Sequence, residues 1–249
     1  MATLKDTYPK AGTLSKEELY AHAMGPGTLY LAEKIAERME LGPGMRLLDF
    51  GCGNAITSLF LAREYGVQVV AADKWVKPDE NWGRVQKAGY TDKIMPVYFE
   101  AHKIPFPGEY FDRIFAMDSY HYVGTDDRYL RYVLRFLKKD GLLGIGGPCF
   151  ASEIDHDLPQ HIEAEYRSDL SCLHSPDWWK QHLNKENLVE TVYSEPLLDG
   201  FALWMDYLEN ISHKAGQLDG AKPQDPETIM ILSDRGDYLT HHVLAVRKR

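Results

Sequence analysis

Arg46-Leu47-Leu48-Asp49-Phe50-Gly51-Cys52-Gly53-Asn54 decides the fold of this chain. A short apolar run ends in a carboxylate, two glycines follow at alternate positions, and an amphipathic segment runs from Ala55 to Tyr65. That order reads as a buried strand, a tight turn and a helix start. Gly51 and Gly53 supply backbone freedom and let a ligand approach the main chain closely. Asp49 stands at the carboxyl end of the strand, where open α/β sheets bind their ligands.

Outward from this stretch the chain alternates. Val67 to Ala72 reads as a second buried strand ending at Asp73. Pro78 to Ala88 reads as a helix with Gly89 as its C-cap. Ile94 to Phe99 is a third strand before Glu100, and Phe111 to Met117 a fourth before Asp118. Thr125 or Asp126 caps a helix that carries Tyr129, Tyr132, Val133, Phe136 and Leu137, and Gly141 to Gly146 is a fifth strand. Strand-helix alternation implies right-handed crossovers and a doubly wound parallel sheet covered on both faces.

Upstream, Ser15 is a good N-cap for a helix toward Ala23. Met24-Gly25-Pro26-Gly27 breaks that helix. Thr28 caps a second one with Leu31, Ile35, Ala36 and Met39 on one face. Downstream of Pro148 the chain is polar and irregular from 150 to 175, with His161 to Tyr166 a candidate helix. Ser175-Pro176 starts a helix, Leu188 to Tyr193 reads as a strand, and Trp204 to Ile211 as a helix. Gly216 to Glu227 reads as mobile, Thr228 to Leu232 as an apolar helix, and Tyr238 to Val246 as the last strand. The expectation is one domain: a helical lid over 1–42, a core over 43–149, a substrate-side insertion and sixth strand over 150–210, and a closing helix and strand over 211–249.

Composition narrows the function. A formal net charge of −9 argues against a broad nucleic-acid footprint, which needs a surplus of Lys and Arg to neutralise phosphate. The basic run Arg247-Lys248-Arg249 reads as a solvated tail. Cys52, Cys149 and Cys172 cannot all pair and match no zinc spacing, so no metal site is expected. The amino-terminal residues hold no apolar signal core, and no run is long enough to cross a membrane. A cytoplasmic location and no membrane insertion follow as expectations. Oligomeric state is left open.

Asp49, Asp73, Glu100 and Asp118 each fall at the end of a predicted strand, so a doubly wound sheet points all four into one crevice. Asp73 lies 20 residues beyond Gly53 (73 − 53), the spacing at which an acidic side chain meets a ribose hydroxyl. A dinucleotide fingerprint needs a third glycine, where this chain has Ile56, and Asp49 would repel a pyrophosphate at the turn. A carboxylate there suits a cationic, phosphate-free nucleoside. S-adenosylmethionine has an α-ammonium, a sulfonium and no phosphate, and so fits better than NAD.

Leu47-Leu48-Asp49-Phe50-Gly51-Cys52-Gly53 resembles the first motif of the class I S-adenosylmethionine-dependent methyltransferases. Ile104-Pro105-Phe106-Pro107-Gly108-Glu109-Tyr110-Phe111-Asp112-Arg113-Ile114 resembles the signature before that family's fourth strand. The chain is most similar to the small-molecule branch that includes ubiquinone and menaquinone C-methyltransferases. The likeness is specific over 43–147 and topological beyond. It implies a Rossmann-like sheet of seven strands, mostly parallel with an antiparallel last strand, for which Leu188 to Tyr193 and Tyr238 to Val246 supply the sixth and seventh.

The resemblance also implies roles. Gly51, Cys52 and Gly53 would pack against the cofactor's methionine part and Asp49 would hold its ammonium, directly or through water. Asp73 would take the ribose hydroxyls, with Lys74 and Trp75 flanking the adenine. Glu100, Ala101 and His102 would meet the adenine edge, although the family usually has Asp where this chain has Glu100. Asp118 would back the methionine end, and Gly25-Pro26-Gly27 resembles a cofactor-lid turn. The expected reaction moves a methyl group from S-adenosylmethionine to a small-molecule N, O, S or C nucleophile, leaving S-adenosylhomocysteine.

Tyr120 and His121 follow the fourth strand, where methyltransferases place substrate-facing groups, and His121 is a candidate general base. His22, with Tyr8 and Tyr20, could close over the site from the lid. Trp75, Trp82, Trp178, Trp179 and Trp204 could form an apolar or cation-binding pocket or pack amphipathic helices. Pro148-Cys149 follows the fifth strand, whereas the cytosine C5 enzymes carry Pro-Cys after the fourth. Cys52 is poorly placed for an arsenite-type thiol set, and Asp118-Ser119-Tyr120 is not an adenine N6 signature. Two other readings stand beside methyl transfer: a cofactor-binding regulator without turnover, and a nicotinamide-dependent oxidoreductase.

Overall fold

A computed structural model of the protein describes residues 4–154, 157–165, 170–197, 199–212 and 226–249. Helices α1 (Leu4–Thr7), α2 (Lys16–Tyr20) and α3 (Thr28–Ala36) lead into β1 (Arg46–Phe50). There follow α4 (Ile56–Tyr65), β2 (Gln68–Asp73), α5 (Pro78–Ala88), β3 (Ile94–Tyr98), β4 (Phe111–Met117), α6 (His121–Gly124), α7 (Tyr129–Val133) and β5 (Leu137–Phe150). Beyond them come α8 (Gln160–Glu165), α9 (Pro176–Asn184), β6 (Val189–Leu197), α10 (Gly200–Ser212), α11 (Pro226–Asp234) and β7 (Leu239–Lys248).

The strands form one seven-stranded sheet in the order β3-β2-β1-β4-β5-β7-β6. Strands β1 to β5 pair in parallel, and β7 runs antiparallel to both of its neighbours. This is the doubly wound, mostly parallel sheet expected from the sequence. It departs from the 3-2-1-4-5-6 order of dinucleotide folds by the antiparallel strand set between β5 and β6.

Central strands of such a sheet are apolar on both faces because helices cover both. Leu47 packs with Leu31, Ile35 and Phe60 on one face, and Leu48 with Phe111, Leu130 and Leu183 on the other. A Cβ on Gly144 would stand 3.0 Å from both Ile35 Cγ1 and Met39 Sδ, so the bare residue lets α3 lie close against β5. Chain order runs outward from β1 through β3 and returns to β4. The crevice therefore opens at the carboxyl ends of β1 and β4, where Gly51 and Asp118 lie.

Local signals meet the structure unevenly. Ser15 forms a full capping box with Glu18, Gly89 closes α5 at φ 79°, and Ser175 caps α9. Gly27, at φ 67°, occupies the N-cap of α3, so Thr28 is its first helical residue and not the cap. The first lid helix stops at Tyr20 and does not reach Ala23.

The helix expected through Leu137 ends at Val133. Leu137 instead pairs with Phe111 and opens a strand that continues to Phe150. Long-range pairing overrides the amphipathic pattern there. Arg247-Lys248-Arg249 is not a solvated tail. Arg247 bonds the Glu40 carboxylate at 2.7 Å, Lys248 the Leu137 carbonyl at 2.7 Å, and Arg249 the Val189 carbonyl at 3.1 Å. Tyr166 and most of the stretch read as mobile, 216–225, lie outside the described residues. Among those described, no helix is long and apolar enough to cross a membrane.

Candidate functional site

The glycine turn leaves β1 with Gly51 at φ 74° and Gly53 at φ 49°, conformations that favour glycine. The space that Gly51 leaves open is filled from within the protein. A Cβ there would lie 2.4 Å from Ser119 Cβ, while Ser119 Oγ donates to the Phe50 carbonyl at 2.6 Å. A Cβ on Gly53 would lie 2.7 Å from Met24 Sδ, the movable end of a lid side chain.

Asp73 pins the turn. Its Oδ2 accepts the Gly53 amide at 2.8 Å, and its Oδ1 accepts the Trp75 and Val76 amides at 2.6 and 2.9 Å. Asn81 adds a bond from Nδ2 to the Gly53 carbonyl at 2.8 Å. A carboxylate oxygen accepts more than one donor, so Asp73 keeps capacity toward the cleft.

The turn forms the floor of a cleft of about 290 Å³. Of the residues expected in the site, His22, Gly25, Gly51, Cys52, Gly53, Asp73, Lys74, Trp75, Glu100, Ala101, His102 and Asp118 line it. Trp75 is 67% exposed and meets the half-exposed Tyr122 edge to face at 6.1 Å, at the rim. Lys74 is the one lysine or arginine among the described residues lining the cleft.

Asp49 does not line it. Asp49 is 1% exposed and accepts the Ser58 hydroxyl at 2.6 Å, turned toward α4. Burial, with Asp73 adding to it, pushes its carboxyl up to about 7 against the bond from Ser58. Burial and the same two carboxylates push the Cys52 thiol upward.

Asp118 is the acidic group at the other end. Its backbone sits at φ 53°, a left-handed conformation that Asp tolerates better than most residues. Its Oδ2 lies 2.9 Å from the Thr28 hydroxyl, and its buried Oδ1 has no partner among the described residues. Burial raises this carboxyl to about 7, the Thr28 bond opposing.

Gly27, Tyr120 and His121 also stand outside the cleft lining. Gly27 packs under Leu203 of α10. The Tyr120 ring lies in the core between Tyr129 and Trp179, and His121 is 8% exposed with its ring against Tyr122 at 4.2 Å. Burial lowers the His121 imidazole to about 4 and raises the Tyr120 phenol. Tyr8 bonds Asp199, and Tyr20 bonds Asp206 of α10, so both anchor the amino-terminal segment and neither lines the cleft. Trp178 stacks between His174 and His182 at 3.6 and 4.5 Å, while Trp179 and Trp204 are buried.

Met24, Thr28 and Asn81 belong to the site or its support and had no site role from the sequence; Ser119 and Tyr122 join them from the stretch after β4 that was expected to face substrate. The first three act across long sequence separations, and no local pattern marks them. The arrangement fits a cationic nucleoside: a pinned glycine turn, an acidic group at each end and apolar walls from Phe50, Phe99 and Met117. The unbonded Asp118 oxygen supplies an acceptor for a cation or a hydrogen-bond donor.

Comparison with known proteins gives the same class. Residues 48–145 match a family described as "Methyltransferase domain". The chain is 31% identical over 120 residues to 27-O-demethylrifamycin SV methyltransferase of Amycolatopsis mediterranei, covering 48% of this chain and 44% of that protein. It is 25% identical over 170 residues to sarcosine/dimethylglycine N-methyltransferase of Halorhodospira halochloris, covering 66% and 60%. The chain spans about half the length of the curated relatives it matches. Among solved structures, the [4+2]-cyclase SpnF superposes with a TM-score of 0.73 at 20% identity, over 99% of this chain and 96% of that one. At that identity the likeness is one of fold. Residues 48–145 thus match a methyltransferase domain, and the sheet that holds them has the fold of the class I methyltransferases.

Proposed function

We propose that the protein transfers a methyl group from S-adenosylmethionine to a small organic acceptor. One observation carries this reading: the segment that matches the methyltransferase domain folds into a cleft with a glycine turn pinned by Asp73 and an unbonded carboxylate oxygen on Asp118. When bound, S-adenosylmethionine supplies a sulfonium-activated methyl group for in-line displacement.

The chain's own groups would hold that cofactor. Gly51 and Gly53 bring the main chain close, and the lone pair left on Asp73 Oδ2 accepts a ribose hydroxyl. Glu100, Ala101 and His102 line the adenine side with Lys74 and Trp75. With Asp49 turned away, Asp118 is the carboxylate that would hold the ammonium. His22 and Met24, from the lid over 1–42, exclude water, and alignment with water exclusion supplies most of the rate. His121 is the candidate general base; burial keeps it neutral near pH 7 but makes it a weaker base than a free imidazole. We read 43–149 as the cofactor core, 150–210 as the acceptor side and 211–249 as the closing helix and strand of one domain. The net charge of −9 supports a small acceptor over nucleic acid, and three free cysteines support a reducing, cytoplasmic setting.

Calorimetry with S-adenosylhomocysteine and NADH tests the cofactor: S-adenosylhomocysteine should bind and NADH should not. Transfer of label from methyl-labelled S-adenosylmethionine into a metabolite extract tests turnover. Tight binding with no transfer to any extract would replace the enzyme by a cofactor-binding regulator.

A further inference from the structure

Tyr120, Trp179 and His242 meet at the carboxyl ends of β4 and β5, beside the cleft. The Tyr120 and Trp179 rings lie 5.8 Å apart, and the Trp179 indole runs nearly parallel to the His242 imidazole, 6.5 Å between centroids at 12°. All three side chains are at most 2% exposed. The Tyr120 hydroxyl, Trp179 Nε1 and both ring nitrogens of His242 have no hydrogen-bond partner among the described residues. The Gly147 backbone faces His242 but makes no well-aligned bond to it. Native interiors leave few buried polar groups unpaired, because each costs about 1–3 kcal/mol. Several such groups, on three elements whose rings pack in one run, leave donors and acceptors that a small ligand would satisfy.

The cluster adjoins the cofactor cleft. Gly147 lies opposite His242 in the β5–β7 register. A Cβ on Gly147 would stand 3.4 Å from the unbonded Asp118 Oδ1, so this bare residue is the wall between cleft and cluster. His121, in the same segment as Tyr120, lies close enough to His242 to lower its proton affinity, and touches Tyr122 on the cleft rim.

The donor set defines what would bind. An indole N–H only donates, a phenol donates or accepts, and a neutral imidazole does one at each nitrogen. Burial lowers His242 to about 4, so near pH 7 no member of the cluster carries a charge. Resting on the methyl-transfer reading above, we propose that Tyr120, Trp179 and His242 form the socket for the methyl acceptor, and that the acceptor is an uncharged molecule that enters it through a carbonyl or hydroxyl oxygen. A carboxylate, phosphate or ammonium would be desolvated there without a counter-charge.

The test uses the full ¹⁵N-labelled chain saturated with S-adenosylhomocysteine. It is titrated with phenol and cyclohexanone, and separately with ethanolammonium and acetate. The neutral probes should shift the Trp179 indole resonance, assigned by its loss in Trp179→Phe, and phenol should give Overhauser contacts to Trp179 and Tyr120. The charged probes should leave that resonance in place. Tyr120→Phe and His242→Phe should each weaken phenol binding by roughly five- to tenfold, the worth of one hydrogen bond. A silent Trp179 resonance with both neutral probes, or an equal shift with acetate or ethanolammonium, overturns the socket. Calorimetry on the same sample separates the two readings. Loss of S-adenosylhomocysteine binding removes the methyl-transfer reading, while intact binding with a silent Trp179 removes the socket alone. Should a variant fail to fold, the wild-type Overhauser contacts decide.

Discussion

The Thr28 hydroxyl lies 2.9 Å from Asp118 Oδ2 and 2.9 Å from the Gly25 carbonyl. One hydroxyl carries one proton and can serve only one of these acceptors at a time. When Asp118 is protonated it can donate to Thr28, and the Thr28 proton is then free for Gly25. The lid turn and the end of β4 are thus joined by a bond whose direction depends on the charge of Asp118.

That linkage fixes a sign for the pH dependence of the ligand-free protein. Asp118 is raised from 3.8 to about 7 in the folded state, so between those values the folded chain holds a proton that the unfolded chain has lost. Its stabilisation is full below about pH 4 and is lost as pH rises through 7. Asp118→Asn should match wild type in urea unfolding near pH 4 and exceed it by on the order of 2 kcal/mol at pH 8. The figure is smaller than a fully enclosed carboxyl would give, because Asp118 lines an open cleft. Parallel curves for the two proteins across that range would show that Asp118 ionises normally.

Asp73→Ala strips acceptors from the Gly53, Trp75 and Val76 amides at once. Bonds to a charged acceptor are each worth about 1.5–3 kcal/mol, though not additively. The variant should lose about 3 kcal/mol in chemical unfolding and bind S-adenosylhomocysteine at least tenfold more weakly by calorimetry. Unchanged affinity in a folded variant would remove Asp73 from the cofactor site.

Gly51→Ala meets two penalties, a left-handed backbone and a Cβ contact at 2.4 Å with Ser119. We expect a loss of about 2–4 kcal/mol. Ser119→Gly removes the contact but not the backbone cost, so the double variant should recover part of the loss. A double variant no more stable than Gly51→Ala would mean that the close approach of Ser119 is not what requires glycine.

Asp206 gathers Lys16, Tyr20 and Tyr30, tying α10 to the amino-terminal segment. Asp206→Asn should cost about 1–2 kcal/mol and speed amide exchange in α2 and α10 while β1 and β4 stay protected. Uniform acceleration across the sheet would show that the latch is part of the global fold and not a local clamp.

The sheet was legible because its strands are short apolar runs closed by acidic residues and turns, and β1 through β4 fall where those signals stand. The lining of the cleft was legible for the same reason, since Gly51, Asp73, Glu100 and Asp118 sit at strand ends. Asp49 was not, because strand position does not say which face a side chain takes. Its partner Ser58, in the first turn of α4, holds it away from the cleft. The Leu137 boundary was misread because Phe111, not the local pattern, sets where β5 starts. Tyr120 and His121 were singled out for following β4, but their burial depends on Trp179 and His242, which arrive from α9 and β7.

Strand β7 lies between β5 and β6 and bonds both. On the ribosome β6 is made before β7 and has no other strand to pair with, while β5 presents an open edge that includes the apolar run Leu142–Ile145. The growing chain therefore carries two unmatched edges until residues 239–248 have emerged, the interval in which nascent chains are most prone to aggregate.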